Sequence, residues 1–410
     1  MPILVQKFGG TSLSTAQARE HAIHHIQNAL LQGYKLVVTV SAMGRKGDSF
    51  ATDTLLDWIA SNGNQLPARE KDMLLGCGEI ISAATLCSLL NARSIPSVVL
   101  SGGQAGILTN DQFGNAHIIS VQPDRILEFL QKDLVVIVAG FQGRTAQGDL
   151  TTLGRGGSDT TATALGAALK AEYVDIFTDV NGILTADPRI VEEAKPLFEV
   201  TYGEICNMAY HGAKVIHPRA VEIAMQAGIP IRVRSTFSDD EGTLVTSADN
   251  IKRQHPRILD KFVTGIAYVS DVSQIRLFSA AGQYDLHLKV FKAMAENQIS
   301  VDFINVNPSG IVYTVFDTEA ERAARILHEM GYEPEISSHC AKVSVIGGGM
   351  NGVPGIMARI VEALTEEDIP ILQSADSNTT IWVLVAHHNM ARAVRALHRK
   401  FQLHEEQVSQ

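Results

Sequence analysis

Short apolar runs alternate with longer amphipathic stretches through the first half of the chain. Residues 3–5, 36–40, 97–100, 134–139, 173–178 and 229–233 are β-branched and bounded mostly by Gly, Pro or polar residues, which predicts buried strands. Between them, residues 16–32, 54–60, 69–92, 159–169 and 212–226 carry helical patterns. Strand–helix alternation of this kind argues for a parallel sheet covered on both faces. Such sheets bind ligands beyond the carboxyl ends of their strands.

The texture changes to a polar connection around 238–257, where a domain boundary is expected. Beyond it lies a gap-free internal repeat. Val290-Phe291-Lys292-Ala293-Met294-Ala295-Glu296-Asn297-Gln298-Ile299-Ser300-Val301 aligns with Ile360-Val361-Glu362-Ala363-Leu364-Thr365-Glu366-Glu367-Asp368-Ile369-Pro370-Ile371. An offset of about 70 residues suits one small supersecondary unit used twice. Each copy reads strand, Gly-containing loop, helix, strand, turn, strand, helix, which is most of a βαββαβ ferredoxin-like unit. The first copy finds its last strand near 332–336, whereas the second has none after its helix 390–400. A spare strand at 262–269 is therefore expected to cross over and complete the second unit. The expected organisation is a first domain at 1–245, a linker at 246–260, and units at 261–338 and 339–410.

Composition adds exclusions. The chain has 410 residues, 45% hydrophobic and 19% charged, enough for two or three cored domains. No run approaching roughly 18 apolar residues stands out, so no membrane span is expected. The N-terminus reads as a first strand, not a signal peptide. Cys77, Cys87, Cys206 and Cys340 are scattered without a C-x-x-C pair, as expected of reduced thiols in a cytoplasmic enzyme. A net charge of −10 without a Lys/Arg cluster gives no support for nucleic-acid binding. His21, His24 and His25 share helical spacing, but no carboxylate or cysteine joins them as metal ligands, and none is expected.

Three Gly-rich loops carry the candidate chemistry. Lys7-Phe8-Gly9-Gly10-Thr11-Ser12 ends the first strand and opens a helix, where backbone N–H groups and a lysine can meet phosphate. Strand–Gly-Gly–helix turns also serve packing. Gly154-Arg155-Gly156-Gly157-Ser158-Asp159 opens another helix. There Arg155 can clamp a carboxylate and Asp159 can orient a cation or Mg²⁺, or merely cap its helix. Thr178-Asp179-Val180-Asn181-Gly182, continuing to Asp187-Pro188-Arg189, places polar residues where a nucleotide can lie, although an ordinary surface loop reads the same way. There is no G-x-x-x-x-G-K-[ST] loop and no protein-kinase catalytic loop. Gly347-Gly348-Gly349-Met350-Asn351-Gly352 imitates a dinucleotide fingerprint, but too little chain follows for a Rossmann sheet.

Taken in order, Lys7–Ser12, Ser41-Ala42-Met43-Gly44, Gly78-Glu79, the loops at 154–161 and 178–189, and Gly212-Ala213-Lys214-Val215 resemble the aspartokinase family. The resemblance implies an α/β fold: an acetylglutamate-kinase-like αβα sandwich with a mainly parallel sheet, followed by two ferredoxin-like ACT units. It implies phosphoryl transfer from Mg²⁺-ATP to L-aspartate, the first step toward lysine, threonine and methionine. Carried over by position, Lys7 and Lys214 would neutralise ATP phosphates, with Gly9 and Gly10 beneath them. Ser41, Thr178, Asp179, Gly182, Asp187 and Arg189 would line the nucleotide site. Thr52, Glu79, Arg155, Gly156, Gly157, Ser158 and Asp159 would hold aspartate, Glu79 toward its amino group and Arg155 toward a carboxylate. The insertion Arg45-Lys46-Gly47-Asp48-Ser49-Phe50-Ala51 before Thr52 departs from the family pattern.

The residue chemistry agrees with this reading. A carboxylate with a pKa of about 3.9 is already ionised at neutral pH and needs no general base. Bringing two anions together requires alignment and charge neutralisation instead. In the second half, the resemblance implies effector loops that include Gly282, Gln283, Asp302 and Asn305 in the first unit. In the second unit they include Asn351, Val353, Gln373 and Ser374. The expected effector is diaminopimelate, then lysine or threonine, acting on a homodimer paired through the ACT units. The alternatives are a related small-molecule kinase and a catalytically silent amino-acid-sensing regulator.

Overall fold

The computed structural model describes residues 1–63, 65–213, 215–254, 262–278, 285–350 and 353–405. The chain forms two compact units: Met1–Ile183, Pro196–Ala209 and Lys214–Ile258 in the first, Leu184–Lys195, Tyr210–Ala213 and Leu259–Gln410 in the second. The short stretches 184–195 and 210–213 thus leave the expected first domain. Contacts distant in sequence claim them, including the amide of Ile266, which donates to Thr185 O.

The first unit contains β1 (Ile3–Phe8), β2 (Lys35–Val40), β3 (Ser97–Leu100), β4 (Ile107–Thr109), β5 (Ile118–Val121), β6 (Val135–Ala139), β7 (Gln142–Arg144), β8 (Leu150–Thr152), β9 (Tyr173–Thr178), β10 (Glu199–Thr201), β11 (Ile231–Ser235) and β12 (Thr243–Thr246). Its main sheet has the order β10-β12-β11-β9-β1-β2-β6-β3, parallel except between β11 and β12. All six strands expected from the apolar pattern lie in it. Even-numbered Leu4 and Phe8 of β1 pack against the helices Ala16–Leu31 and Cys77–Asn91. Odd-numbered Lys7 faces the other side, toward the almost wholly buried helix Gly157–Leu169. A smaller sheet, β5-β4-β7-β8, carries the chain toward that helix.

Two helices differ most from expectation. The stretch 69–92 is interrupted at Gly76, whose carbonyl is shared with Gln142 Nε2 at 3.0 Å. The helix expected from residue 212 starts only at Pro218, capped by His217 Nδ1, which accepts from the Arg219 amide. The stretch Ala68–Asn91 is long and apolar enough by composition to cross a membrane, which its interrupted apolar pattern did not suggest. Within it, Asp72 and Glu79 are buried and hydrogen-bonded to the first unit, and Ala83, Leu86 and Leu90 join its core.

The second unit contains β13 (Gly265–Phe278), β14 (Asp302–Asn307), β15 (Gly310–Phe316), β16 (Glu335–Ile346), β17 (Gln373–Asp376) and β18 (Thr380–Ala386), in the order β14-β15-β13-β16-β18-β17. The repeats are intertwined. Residues 265–269 of β13 pair with 342–346 of β16, and Val263 and Ile266 join the second copy's core. Residues 335–337 of β16 return to pair with 274–276. Burial follows the repeat: Val290, Met294 and Ile299 match Ile360, Leu364 and Ile369, all buried.

The crossing strand is seated tightly. A Cβ placed on Gly347 would lie 1.9 Å from Phe262 O, while the Thr264 amide donates to Ile346 O at 2.7 Å. Gly347→Ala should destabilise the second unit by ~1–3 kcal/mol. Hydrogen exchange should quicken at residues 265–269 far more than at 310–316. Equal acceleration in both segments would contradict the intertwined arrangement.

Candidate active site

Parallel pairing puts the ends of four strands on one edge. Phe8 stands beside Val40 and Phe177, and Val40 beside Ala139. The chain leaves that edge as Gly9-Gly10, Ser41–Gly44, Gly140-Phe141 and Asp179. Gly10 is required there, because a Cβ would sit 2.6 Å from Gly44 O and 2.7 Å from Ala42 O. The Ser41 amide donates to Phe8 O and the Gly44 amide to Gly10 O, locking the first two loops together.

Lys7 and Asp159 meet in the centre of this edge, with Nζ 2.7 Å from Oδ1 and both side chains mostly buried. Asp159 lies in the first turn of the helix Gly157–Leu169, and its Oδ2 accepts from the His217 amide at 3.4 Å. The preceding Gly156 has φ +65° and lies against the His217 ring, a conformation and a contact that exclude a side chain. Ser158 is buried beside Gly140, and Arg155 projects to solvent. A helix N-terminus, a lysine and an exposed arginine together favour anions.

Glu79 is the most unusual group of the site. Only 2% of it is exposed; Oε1 accepts from the Ala42 amide at 3.2 Å, and Oε2 has no partner among the described residues. Burial pushes its carboxyl up to about 7. A Cβ on neighbouring Gly78 would stand 2.9 Å from Phe50 O, so the inserted loop reaches this helix two residues before Thr52. Thr52 begins a helix that runs Thr52–Ser61, two residues earlier than expected.

On the other flank, Thr178 Oγ1 donates to Asp179 Oδ1, and Asp179 pairs with Arg45 of the insertion at 2.6 Å. Gly182 lies against Thr243 of the first unit. Asp187 and Arg189 fold instead with the second unit, bonded to one another, with Tyr268 Oη donating to Asp187. Lys214 lies outside the described residues. The three helical histidines part company. His24 bonds Asp239, His25 bonds Thr236 O and packs on Phe177, and His21 meets Phe237 edge-on. A cavity of about 160 Å³ beneath the helix Ala16–Leu31, lined by Gln6, His25, Asp175 and Arg232, lies apart from these loops.

Of the expected effector residues, Gly282, Gln283 and Asn351 lie outside the described residues. Asp302 pairs with Lys342, while Asn305 and Ser374 are exposed and Val353 is half-buried. Although β14 and β17 end the sheet order, Gln373 donates to Phe303 O and accepts from Gln274 Nε2. The pairing of β13 with β16 shifts register between Val269 and Gln274. Sequence reasoning assigned the two loops to separate sites, whereas the structure brings Gln373 beside the start of β14.

Asp72 was missed. Its carboxylate is buried and accepts from the Thr152 amide at 2.7 Å, the Thr152 hydroxyl at 2.8 Å and the Gly114 amide at 2.9 Å. A spacing of seven from Glu79 in a stretch read as one apolar helix was the available signal, since seven residues are about two helical turns.

Residues 2–235 match the model of the Amino acid kinase family, and residues 335–399 match an ACT domain. Aspartokinase 1 of Bacillus subtilis is 57% identical over 98% of this chain and 100% of its own length. An aspartokinase of Geobacillus stearothermophilus is 38% identical over 99% of this chain and 98% of its own. Among solved structures, E. coli aspartokinase III in complex with aspartate and ADP superposes with a TM-score of 0.78 at 25% identity, covering 97% of this chain and 99% of that one. An amino acid kinase fold joined to ACT units, with relatives aligned along nearly its whole length, places this chain in the aspartokinase family.

Proposed function

We propose that this enzyme transfers the γ-phosphoryl group of ATP to the side-chain carboxylate of L-aspartate, yielding ADP and 4-phospho-L-aspartate. Glu79 is the observation that carries the substrate assignment. A buried carboxylate with an unpartnered oxygen is poorly stable alone, and an α-ammonium group supplies the missing donor and charge. Arg155, exposed on its glycine loop, takes a carboxylate of the substrate in a two-pronged grip. Ser158 and Thr52 complete the aspartate side, with Gly156 and Gly157 offering backbone.

Lys7, held by Asp159, meets the phosphates above Gly9 and Gly10. Ser41, Thr178, Asp179 and Gly182 line the nucleotide. Asp187, Arg189 and Lys214 are assigned to it by resemblance to the family. The exposed Arg45–Asp179 pair contributes only ~0–1 kcal/mol and can open at little cost when nucleotide enters. The donor set suits a metal carried by the nucleotide. Lys7 and the His217 amide already face the two Asp159 oxygens, and among the described residues no three His, Cys, Asp or Glu converge. Mg²⁺ keeps water and phosphate oxygens as ligands, so Asp159 would hold it through water. Bound there, it would neutralise phosphate charge. In the reaction, an aspartate side-chain oxygen bonds to the γ-phosphorus while the bond to the bridging oxygen breaks. ADP leaves with that electron pair, and no proton need move.

The ACT half senses an end product of the pathway, diaminopimelate first and lysine or threonine next, in a homodimer. Edge strand β14, with Ile304 and Val306 exposed, favours pairing through the ACT units. The four free cysteines fit the cytoplasm.

ADP release should require L-aspartate, and KM for aspartate should rise up to tenfold per unit as pH falls below about 7, where Glu79 takes up a proton. Glu79→Gln should raise KM and flatten that profile, and a variant profile that still bends near 7 would contradict the role. Because the folded pKa lies above the unfolded one, the ligand-free protein should lose stability as pH rises from about 4.5 to about 7, by on the order of 3 kcal/mol. Glu79→Gln should remove that loss.

Titrating diaminopimelate, lysine and threonine against activity should reveal inhibition by at least one of them, since an effector must prefer the inactive arrangement. Indifference to all three would dismiss the sensor and leave the kinase.

A further inference from the structure

We propose that Asp72 is a positioning residue that sets the length of dicarboxylate accepted between Glu79 and Arg155, an inference that rests on reading those two residues as the anchors of aspartate. The helical stretch Ala68–Asn91 carries two buried acids seven residues apart, Asp72 before its interruption at Gly76 and Glu79 after it. They have opposite circumstances. Glu79 keeps an unpartnered oxygen, whereas Asp72 spends both oxygens on the protein.

The Asp72 bonds are made to the strand that leads into the arginine loop. Oδ2 takes the Thr152 amide and Oδ1 the Thr152 hydroxyl, three residues before Arg155. Oδ2 also takes the amide of Gly114, whose neighbour Asn115 abuts Gly154: a Cβ on Gly154 would lie 2.5 Å from Asn115 Oδ1. The Ala116 amide donates to Thr152 O at 2.8 Å, binding that loop to the same strand. One carboxylate thus fixes the helix Ala68–Leu75, which joins the helix bearing Glu79 at Gly76, against β8, the strand that leads into the Arg155 loop. A second tie, Gln142 Nε2 to Gly76 O at 3.0 Å, holds the helix between the two acids.

No cation contacts Asp72 among the described residues; its charge rests on N–H and O–H donors alone. Such bonds are directional, so they define a distance as well as an attraction. Misplacing reacting groups by about 1 Å can reduce turnover on the order of 100-fold. A helix that slides against β8 changes the span between the ammonium and carboxylate anchors. It leaves Gly9, Gly10 and Lys7, on a different strand, where they were.

The test is steady-state ADP release with aspartate and with glutamate, one methylene longer, for the full chain and for Asp72→Asn and Thr152→Val. Asp72→Asn sets an amide NH₂ against donors that need an acceptor. Thr152→Val removes one hydroxyl only and guards against a folding failure in the first variant. The expected result is a rise in KM for aspartate of about tenfold or more in Asp72→Asn and a smaller rise in Thr152→Val. KM for ATP should stay within about twofold, and the preference for aspartate over glutamate should shrink in both variants. A general weakening of the fold would instead lower active enzyme without separating the two KM values. Wild-type preference for aspartate that survives in both variants would overturn the positioning role alone. Wild-type protein that turns over aspartate no better than glutamate would overturn the reading of the anchors themselves.

Discussion

Parallel register is the constraint on which the site depends. Because β1, β2, β6 and β9 run in one direction and in step, their C-terminal ends share an edge, and every candidate loop of the first unit issues near it. The alternation of side chains along β1 then divides the work. Leu4 and Phe8 build the core on one face, and Lys7 reaches Asp159 on the other. A one-residue slip of β1 would bury the ammonium in the apolar core and set the phenyl ring against Asp159. The core that stabilises the sheet is therefore also what aims the lysine.

Around that edge, acids are buried at different degrees of satisfaction. Asp72 is fully bonded, Asp159 is paired, and Glu79 is left short of a partner among the described residues. Removing one member of a buried ion pair costs about 3–5 kcal/mol, so Lys7 and Asp159 hold each other in place. Glu79 holds the opposite position: its charge is unfavourable until a cation arrives.

Much of this was legible in the sequence because it depends on local pattern. Buried β-branched runs such as 36–40 and 134–139 can hardly be anything but central strands, and the repeat at 290 and 360 foretold one small unit used twice. The crossing strand at 262–269 followed from counting strands. Short polar strands such as Gln142–Arg144 and Leu150–Thr152 were not legible, since their residues are chosen by tertiary neighbours and not by a buried face. The departure of 184–195 and 210–213 from the first unit was equally hidden, being decided by contacts far along the chain. Glycine loops pointed to Lys7, Arg155 and Asp159, of which Lys7 and Asp159 meet. Asp72 carried no such marker, because an acid on a helix ordinarily faces water.

Trapping the product tests the chemistry most directly. Purified protein with Mg²⁺-ATP, L-aspartate and hydroxylamine should yield coloured aspartyl hydroxamate, because hydroxylamine captures an acyl phosphate. The signal should need both substrates and vanish when either is left out. ADP formed without hydroxamate, or hydroxamate formed with glutamate but not with aspartate, would contradict phosphoryl transfer to the aspartate side chain.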